Sequence, residues 1–128
     1  MTQALIIDDN QSNINVLGLL LQNEGMTYTQ VLHPVEIDKA VASGGPFSVV
    51  FLDLEFPANN GFTIIERLRG MDALAGVPIV AYSVHISEIE LTRQAGFDGF
   101  LGKPLDADRF ADQLQRILGG EQVWEIVS

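Results

Sequence analysis

The stretch that decides the fold is residues 47–61, which read F-S-V-V-F-L-D-L-E-F-P-A-N-N-G. An apolar run fills its first half and stops at Asp53, and a segment with a proline and a glycine follows. A continuous apolar run between turn residues is typical of a strand that is buried on both faces of a parallel sheet. The stretch therefore predicts a central strand that carries Asp53 at its carboxyl end.

Length, composition and charge narrow the class of protein. The 128 residues suit one ordinary domain, and a hydrophobic content of 47% is enough for a continuous core. The net charge of -10 disfavours nucleic-acid partners, which bind basic faces, and suits cations. The sequence contains no cysteine, which excludes disulfides, thiolate nucleophiles and cysteine zinc sites, and its two histidines are too few for a histidine cluster.

The start of the chain and the length of its apolar runs bear on location. The first residues, M-T-Q-A-L-I-I-D-D, lack a basic region and reach two acids before a secretory core can form. No apolar run approaches the roughly 18 residues that a membrane span requires. We therefore expect a cytoplasmic protein without a membrane partner.

Strand and helix patterns alternate along the chain. Besides the central run, apolar segments predict strands at residues 4–7, 28–32, 77–82 and 97–101. Helical stripes with caps and stops predict helices at about residues 14–24, 34–43, 62–71, 87–95 and 106–118. Five strands that alternate with five helices through short connections favour an α/β fold with a doubly wound parallel sheet.

The end of the chain stands apart from this alternation. Residues 1–120 are predicted to form the domain, and residues 121–128, E-Q-V-W-E-I-V-S, a short C-terminal tail. The tail is apolar and alternating, so docking on the domain, pairing with a partner and fraying all stay open.

Polar residues stand at four of the predicted strand ends: Asp8 with Asp9, then Asp53, Ser83 and Lys103. Each has an ordinary role by itself, as a helix cap, a turn residue or a solvated charge. In an open parallel sheet, however, ligands bind beyond the carboxyl ends of the strands. Three carboxylates at one edge repel one another and need a compensating cation. Hard oxygen ligands suit Mg²⁺, and a carboxylate beside such a metal can attack a phosphoryl group.

At these residues the sequence closely resembles the receiver domain of two-component response regulators, the CheY-like superfamily, in its single-domain form. The resemblance rests on D-D-N at residues 8–10, D-L-E-F-P-A-N-N-G at 53–61, A-Y-S at 81–83 and A-G-F-D-G-F-L-G-K-P at 95–104. These motifs follow the family's order, and the resemblance covers residues 4–118. It implies a flavodoxin-like (βα)5 sheet with the strand order 2-1-3-4-5.

The resemblance implies a phosphoacceptor and a metal site. Asp53 would accept phosphate from a histidine kinase or a histidine phosphotransfer protein. Asp9, Asp53 and the backbone carbonyl of Glu55 would bind Mg²⁺ or Mn²⁺ directly, while Asp8 would act mainly through a metal-bound water.

The resemblance also implies a phosphate-binding pair and a switch. Lys103 would contact one phosphoryl oxygen, and the Ser83 hydroxyl would bind another once phosphate arrives. Phe100 occupies the position of the switch aromatic, which swings inward behind that hydroxyl. Pro104 would follow a cis peptide bond.

The sequence departs from the family's usual residues at several positions. Phe100 replaces the tyrosine of many relatives, and Val84 stands where alanine is common. Glu55, Val84 and His85 lie where receivers tune their reaction rates. An additional carboxylate at Glu55 would either help to order the metal or repel the phosphodonor, and both alternatives stay open.

The implied function is a receiver that is phosphorylated on Asp53 and signals to a protein target by a conformational switch. The target surface, or a self-dimer, would use the fourth helix, fifth strand and fifth helix, without direct contact to nucleic acid. Such a protein assists its own phosphorylation and dephosphorylation but is not an enzyme with turnover on an external substrate. The alternatives are an intermediate phosphate carrier and a phosphate-independent pseudo-receiver that serves as an interaction module.

Two further classes fit the residues poorly. An aspartate-nucleophile phosphatase requires a D-x-D arrangement, whereas Glu55 stands two positions after Asp53. A flavodoxin-like redox protein requires a phosphate loop after the first strand, where Asp8 and Asp9 would repel a flavin phosphate.

Overall fold

The computed structural model describes residues 3–55 and 61–125. In these residues the strands are β1 Gln3–Ile7, β2 Thr27–Val31, β3 Val49–Asp53, β4 Ile79–Ser83, β5 Gly99–Gly102 and β6 Val123–Glu125. The α-helices are α1 Gln11–Asn23, α2 Ile37–Ser43, α3 Gly61–Arg69, α4 Ile89–Gln94 and α5 Ala107–Leu118. Within these ranges no helix has the length and apolarity needed to cross a membrane.

The sheet is parallel throughout, and its strand order is β2-β1-β3-β4-β5-β6. The predicted α/β class and the order 2-1-3-4-5 are confirmed, with a sixth strand added at the β5 edge. Strand order reverses between β1 and β3, which lie side by side with Ile7 opposite Leu52. The carboxyl ends of β1, β3, β4 and β5 therefore meet at one edge of the sheet.

The central strand β3 is buried on both faces, as its continuous apolar run requires. Val50 and Leu52 pack against α2 and α3, while Val49 and Phe51 pack against α1 and α5. Each of these side chains is at most 1% exposed. Burial of one such side chain contributes about 1.5–3 kcal/mol, so β3 is a rigid base for the residue that ends it.

Helix α1 starts directly after the acidic pair at the end of β1. The side chain of Asn10 accepts a hydrogen bond from the Asn13 N–H at 3.1 Å and so caps the first turn. Gly25 has a φ of 79°, a left-handed conformation that glycine adopts without steric cost, and the chain turns there into β2. The cap fixes the loop that carries Asp8 and Asp9.

Two predicted helices begin with a short 3-10 segment. Residues Pro34–Glu36 precede α2, and residues Ile86–Glu88 precede α4, which itself has only six residues. The buried hydroxyl of Thr92 donates to the Ile89 carbonyl at 2.6 Å, a bond between a side chain and the backbone that lies within this short helix.

The C-terminal tail docks on the domain as strand β6, parallel to β5. Phe100 lies opposite Trp124, and Val123 is fully buried. A Cβ at Gly99 would lie 2.7 Å from the Val123 carbonyl oxygen, so only glycine permits this approach. Of the three outcomes left open by the sequence, the structure shows docking for residues 123–125, while residues 126–128 lie outside the described part.

Polar contacts hold β6 against α4 and α5. The Arg93 guanidinium lies 4.7 Å from the centre of the Trp124 ring. Glu125 accepts hydrogen bonds from Gln113 at 2.8 Å, from Arg116 at 2.7 Å and from Arg109 at 3.0 Å. The tail therefore covers the edge of β5 and one side of α5.

Candidate functional site

The predicted site residues lie together at the carboxyl edge of the sheet. Asp8 follows β1, Asp53 ends β3, Ser83 ends β4 and Lys103 follows β5. Carboxylate oxygens of Asp8, Asp9 and Asp53 lie within 4.8 Å of one another. The structure thus brings together residues that are up to 95 positions apart in the chain (103 − 8).

Asp8 is fully buried and its carboxylate is held from two sides. The Tyr82 hydroxyl donates to Oδ2 at 2.6 Å, and the Asn10 N–H donates to Oδ1 at 2.9 Å. Burial and the nearby Asp8 charge raise the pKa of Tyr82, so its hydroxyl stays protonated and remains a donor. Sequence reasoning treated Tyr82 only as a strand residue and missed this contact.

Asp53 is 2% exposed and is bound by one cation. The Lys103 Nζ lies 3.0 Å from Asp53 Oδ1, and the Glu55 N–H donates to the same oxygen at 3.2 Å. Burial raises the pKa of Asp53 to about 7; the Lys103 charge opposes this shift and the Asp8 charge adds to it. Asp53 therefore stays fully ionised at neutral pH only if additional positive charge is present.

Lys103 is shared among several carboxylates. Its Nζ lies 3.0 Å from Asp53, 3.5 Å from Glu55 and 3.9 Å from Asp8, and its side chain is only 10% exposed. Its Nζ also lies 4.5 Å from the centre of the Tyr82 ring, a cation–π contact. One ammonium thus faces three carboxylates at short range, and the site has an excess of negative charge.

The Glu55 side chain reaches across to the end of β4. Its Oε1 accepts the Ser83 hydroxyl at 2.7 Å and the Val84 N–H at 3.0 Å, and the His85 Nε2 lies 3.9 Å away. Burial raises the pKa of Glu55, but these hydrogen bonds and the Lys103 charge lower it more, so its net pKa lies below the ordinary value. The sequence placed the backbone carbonyl of Glu55 at a metal, and its side-chain contacts were missed.

Phe100 and Pro104 complete the residues that the sequence singled out. Phe100 is fully buried and pairs with Ala81 of β4. The Lys103–Pro104 peptide bond is cis. Val84 and His85 are exposed at the rim, directly after Ser83.

The donor set of the acidic cluster fits a hard divalent cation. Asp8 and Asp53 are buried carboxylates, while Asp9 is exposed and open to solvent. Oxygen donors with open positions are typical of Mg²⁺ sites, which keep several bound waters. The excess of negative charge described above favours the same kind of ion.

A comparison with known protein families identifies this arrangement. The family model described as the response regulator receiver domain matches residues 4–115. The chain belongs to the response regulator receiver family. Receiver domains are signalling domains that bind Mg²⁺ in their acidic site and interact with histidine kinases and downstream effectors.

Individual relatives agree with the family. The chain is 30% identical over 129 aligned positions to the sensory transduction protein RegX3 of Mycobacterium tuberculosis, an alignment that covers 94% of this chain and 53% of RegX3. It is 27% identical to a CheY-like response regulator receiver domain from Methylobacillus flagellatus, with a TM-score of 0.80 over 91% of this chain and 98% of that one. The chain thus spans about half the length of RegX3 and nearly all of the isolated receiver.

A third relative was solved with a metal. The receiver domain of a sensor histidine kinase of Pseudomonas aeruginosa is 23% identical, with a TM-score of 0.80 over 92% of this chain and 98% of that one. In that protein a magnesium ion is coordinated in the active site cleft. The fold is therefore shared, and the predicted role of a receiver in two-component phosphorelay signalling is confirmed over the pseudo-receiver alternative.

Proposed function

We propose that Asp53 of this receiver is the phosphoacceptor of a two-component phosphorelay. The observation that carries the proposal is that Asp53 lies 3.0 Å from Lys103 and shares an acidic cluster with Asp8 and Asp9. A carboxylate beside both a fixed ammonium and a cation-binding cluster is well placed to attack a phosphoryl group.

The phosphodonor is a phosphohistidine of a histidine kinase or a histidine phosphotransfer protein. A carboxylate oxygen of Asp53 attacks phosphorus, the P–N bond breaks, and the imidazole nitrogen leaves with the electron pair of that bond. Asp53 then carries an acyl phosphate. Lys103 neutralises one phosphoryl oxygen as a point charge, and the Ser83 hydroxyl donates to another.

The metal ligands proposed for this chain are Asp9, Asp53 and the backbone carbonyl of Glu55, with Asp8 acting through a bound water. When bound, Mg²⁺ or Mn²⁺ supplies positive charge for the carboxylates and the phosphoryl oxygens. The excess of carboxylates around Lys103 supports this, because one ammonium faces Asp8, Asp53 and Glu55. The same residues assist dephosphorylation, since water attacks the acyl phosphate at the same place.

The proposed output surface is α4, β5 and α5, toward a downstream protein or a second copy. Strand β6 pairs with β5 and contacts α5 through Glu125, so a partner of this surface also meets β6. The cytoplasm remains the proposed location, on the sequence features given above. The domain boundary at residue 120 likewise remains a proposal, and it separates β6 from the part that matches the family.

Incubation with acetyl phosphate and Mg²⁺ tests the proposal. We expect one acid-labile phosphoryl group per chain, none in Asp53→Asn, and little without Mg²⁺. Glu66→Ala, which removes an exposed carboxylate of α3, is the matched control and should label like the wild type. Equal labelling of Asp53→Asn and the wild type would show that Asp53 is not the acceptor.

A further inference from the structure

The side chain of Glu55 occupies the donors that a phosphoryl group on Asp53 would require. Its carboxylate accepts from the Ser83 hydroxyl at 2.7 Å and from the Val84 N–H at 3.0 Å, and it lies 3.5 Å from the Lys103 ammonium. These three donors come from the ends of β4 and β5, on the side of the site where Lys103 meets Asp53. Carboxylate and phosphoryl oxygens are both anionic acceptors, so the two groups compete for the same positions.

Local geometry fixes Glu55 in this position. The Glu55 N–H donates to Asp53 Oδ1 at 3.2 Å, a short side-chain turn that holds Glu55 beside Asp53. Ser83 Oγ accepts the His85 N–H at 2.9 Å, so its own proton is available for an acceptor, and Glu55 is that acceptor. The contact is therefore part of a connected network of hydrogen bonds at the end of β4.

The shortest contacts of the Glu55 side chain are to the end of β4. Lys103 lies closer to Asp53, at 3.0 Å, than to Glu55, at 3.5 Å. Of the three hydrogen bonds that the Glu55 carboxylate accepts, the two shorter ones come from the neutral Ser83 and Val84 donors and the longest from the Lys103 ammonium. This pattern is that of an anion held in a phosphoryl-oxygen position.

We propose that Glu55 acts as an internal substitute for the phosphoryl group, which holds Ser83 in its inward position and must leave before a phosphoryl group on Asp53 binds there. The proposal rests on the function proposed for Asp53. Phe100 is fully buried although the Ser83 hydroxyl donates to Glu55 and not to a phosphoryl oxygen. The proposal explains this, because Glu55 takes the place of that phosphoryl oxygen.

Two consequences follow for this chain. Phosphoryl binding is weaker than the donor set alone would allow, because it must displace a bound carboxylate. The conformational change that accompanies phosphorylation is small at β4 and β5, because Ser83 and Phe100 already lie inward. Competition for these donors differs from both alternatives that the sequence left open for Glu55, which were ordering of the metal and repulsion of the phosphodonor.

The affinity for beryllofluoride in the presence of Mg²⁺ tests the proposal, measured by NMR titration on the full chain. Glu55→Ala removes the competitor, and we expect binding to tighten by roughly tenfold or more, the size typical of hydrogen bonds to a charged group. Glu55→Asp keeps the charge but is one methylene shorter, so it no longer reaches Ser83 and should approach the affinity of Glu55→Ala. Glu55→Gln keeps the reach without the charge and should fall between the wild type and Glu55→Ala.

The outcomes separate the inference from the function on which it rests. If Glu55→Asp binds like the wild type while Glu55→Ala binds more tightly, charge repulsion explains the effect and the inference is wrong. Equal or weaker binding in Glu55→Ala also overturns it, while the role of Asp53 stands. If neither the wild type nor any variant binds beryllofluoride, the proposed function itself fails, and the inference fails with it.

The change in tryptophan fluorescence on addition of ligand gives a second readout. Trp124 is the one tryptophan of the chain and lies opposite Phe100 across β5 and β6. We expect a small change on addition of beryllofluoride and Mg²⁺ to the wild type and a larger one in Glu55→Ala. Glu66→Ala should behave like the wild type in both measurements, and a wild-type change as large as that of Glu55→Ala would contradict the proposal.

Discussion

Two clusters of charged side chains in this receiver differ in how the charge of the central carboxylate is compensated. At the acidic site, Lys103 is shared by Asp8, Asp53 and Glu55, all within 4 Å. At β6, Glu125 is bound by Gln113 and by two arginines, of which Arg116 also pairs with Glu121 and Asp112. Burial and the neighbouring Asp8 raise the pKa of Asp53, against the effect of Lys103, whereas hydrogen bonds from Gln113 and Arg116 lower the pKa of Glu125.

This difference in charge compensation distinguishes a reactive site from a structural contact. Negative charge exceeds positive charge around Asp53, and the group is buried, so the site favours a cation or a change of covalent state. Two arginines already compensate the charge of Glu125, so this carboxylate does not require a bound cation. The balance of charge around a carboxylate, and not the presence of a salt bridge, marks the functional cluster.

The largest expected effect comes from removal of the cation at the acidic site. Lys103→Met leaves buried carboxylates without their counter-charge, and we expect a loss of about 3 kcal/mol in the free energy of unfolding in metal-free buffer. Chemical denaturation measures this loss, and added Mg²⁺ should restore part of it. Lys39→Met, at an exposed position of α2, is the control. A metal-free Lys103→Met protein as stable as the wild type would contradict the role of Lys103 as the counter-charge that stabilises these carboxylates.

A smaller effect of opposite sign is expected at Asp8. Asp8→Asn removes one charge while its amide oxygen can still accept the Tyr82 hydroxyl, so the metal-free protein should gain about 1–2 kcal/mol of stability. The stabilising effect of Mg²⁺ should fall in the same variant. Thermal denaturation with and without Mg²⁺ measures both changes, and a less stable metal-free Asp8→Asn would contradict the charge imbalance.

The cluster around Glu125 should respond less than the acidic site. Glu125→Gln keeps the shape of the side chain but loses its charge, and we expect docking of β6 to weaken by about 0.5–1 kcal/mol, the size of a partly exposed ion-pair network. Amide hydrogen exchange of β5 measures the docking directly. Exchange in β1 serves as the internal control, because that strand is distant from β6 in the sheet order. Faster exchange throughout the sheet would indicate global destabilisation.

The smallest effect is the dependence of β6 docking on pH. Because the folded pKa of Glu125 lies below its ordinary value of 4.5, its contribution is present above that value and is lost as pH falls through the folded pKa. We expect Trp124 fluorescence to shift in this acidic window, ahead of global unfolding, and the shift to be absent in Glu125→Gln. A shift of the same size in both proteins would assign it to another group.

Much of the site was predictable because parallel strands end at one edge. The apolar run before Asp53 and the K-P step after β5 place Asp53 and Lys103 at strand ends on either side of β4 once the strand order is known. The order itself was implied by the family resemblance, whereas the alternation of strands and helices predicted only a parallel sheet. Asp8 and Asp9 follow from the same reasoning.

The remaining features depend on geometry that periodicity does not determine. The side chain of Glu55 reaches Ser83 because of the turn after β3, and the Tyr82–Asp8 bond depends on the direction in which β4 places a buried ring. A short alternating segment can pair with either edge of the sheet. Only the structure shows that it pairs with β5. The sequence shows that an acid, Glu55, stands two positions after Asp53. This spacing indicates that Glu55 lies near the site, but it does not identify the residues that its side chain contacts.

The most direct test of the central claim is the location of the phosphoryl group itself. After treatment with acetyl phosphate and Mg²⁺, borohydride reduces an acyl phosphate to the alcohol, which marks the modified aspartate as homoserine in a peptide digest. We expect homoserine at Asp53 alone. Reduction at Asp8 or Asp9, or labelled protein without any homoserine at Asp53, would contradict the assignment of Asp53 as the phosphoacceptor.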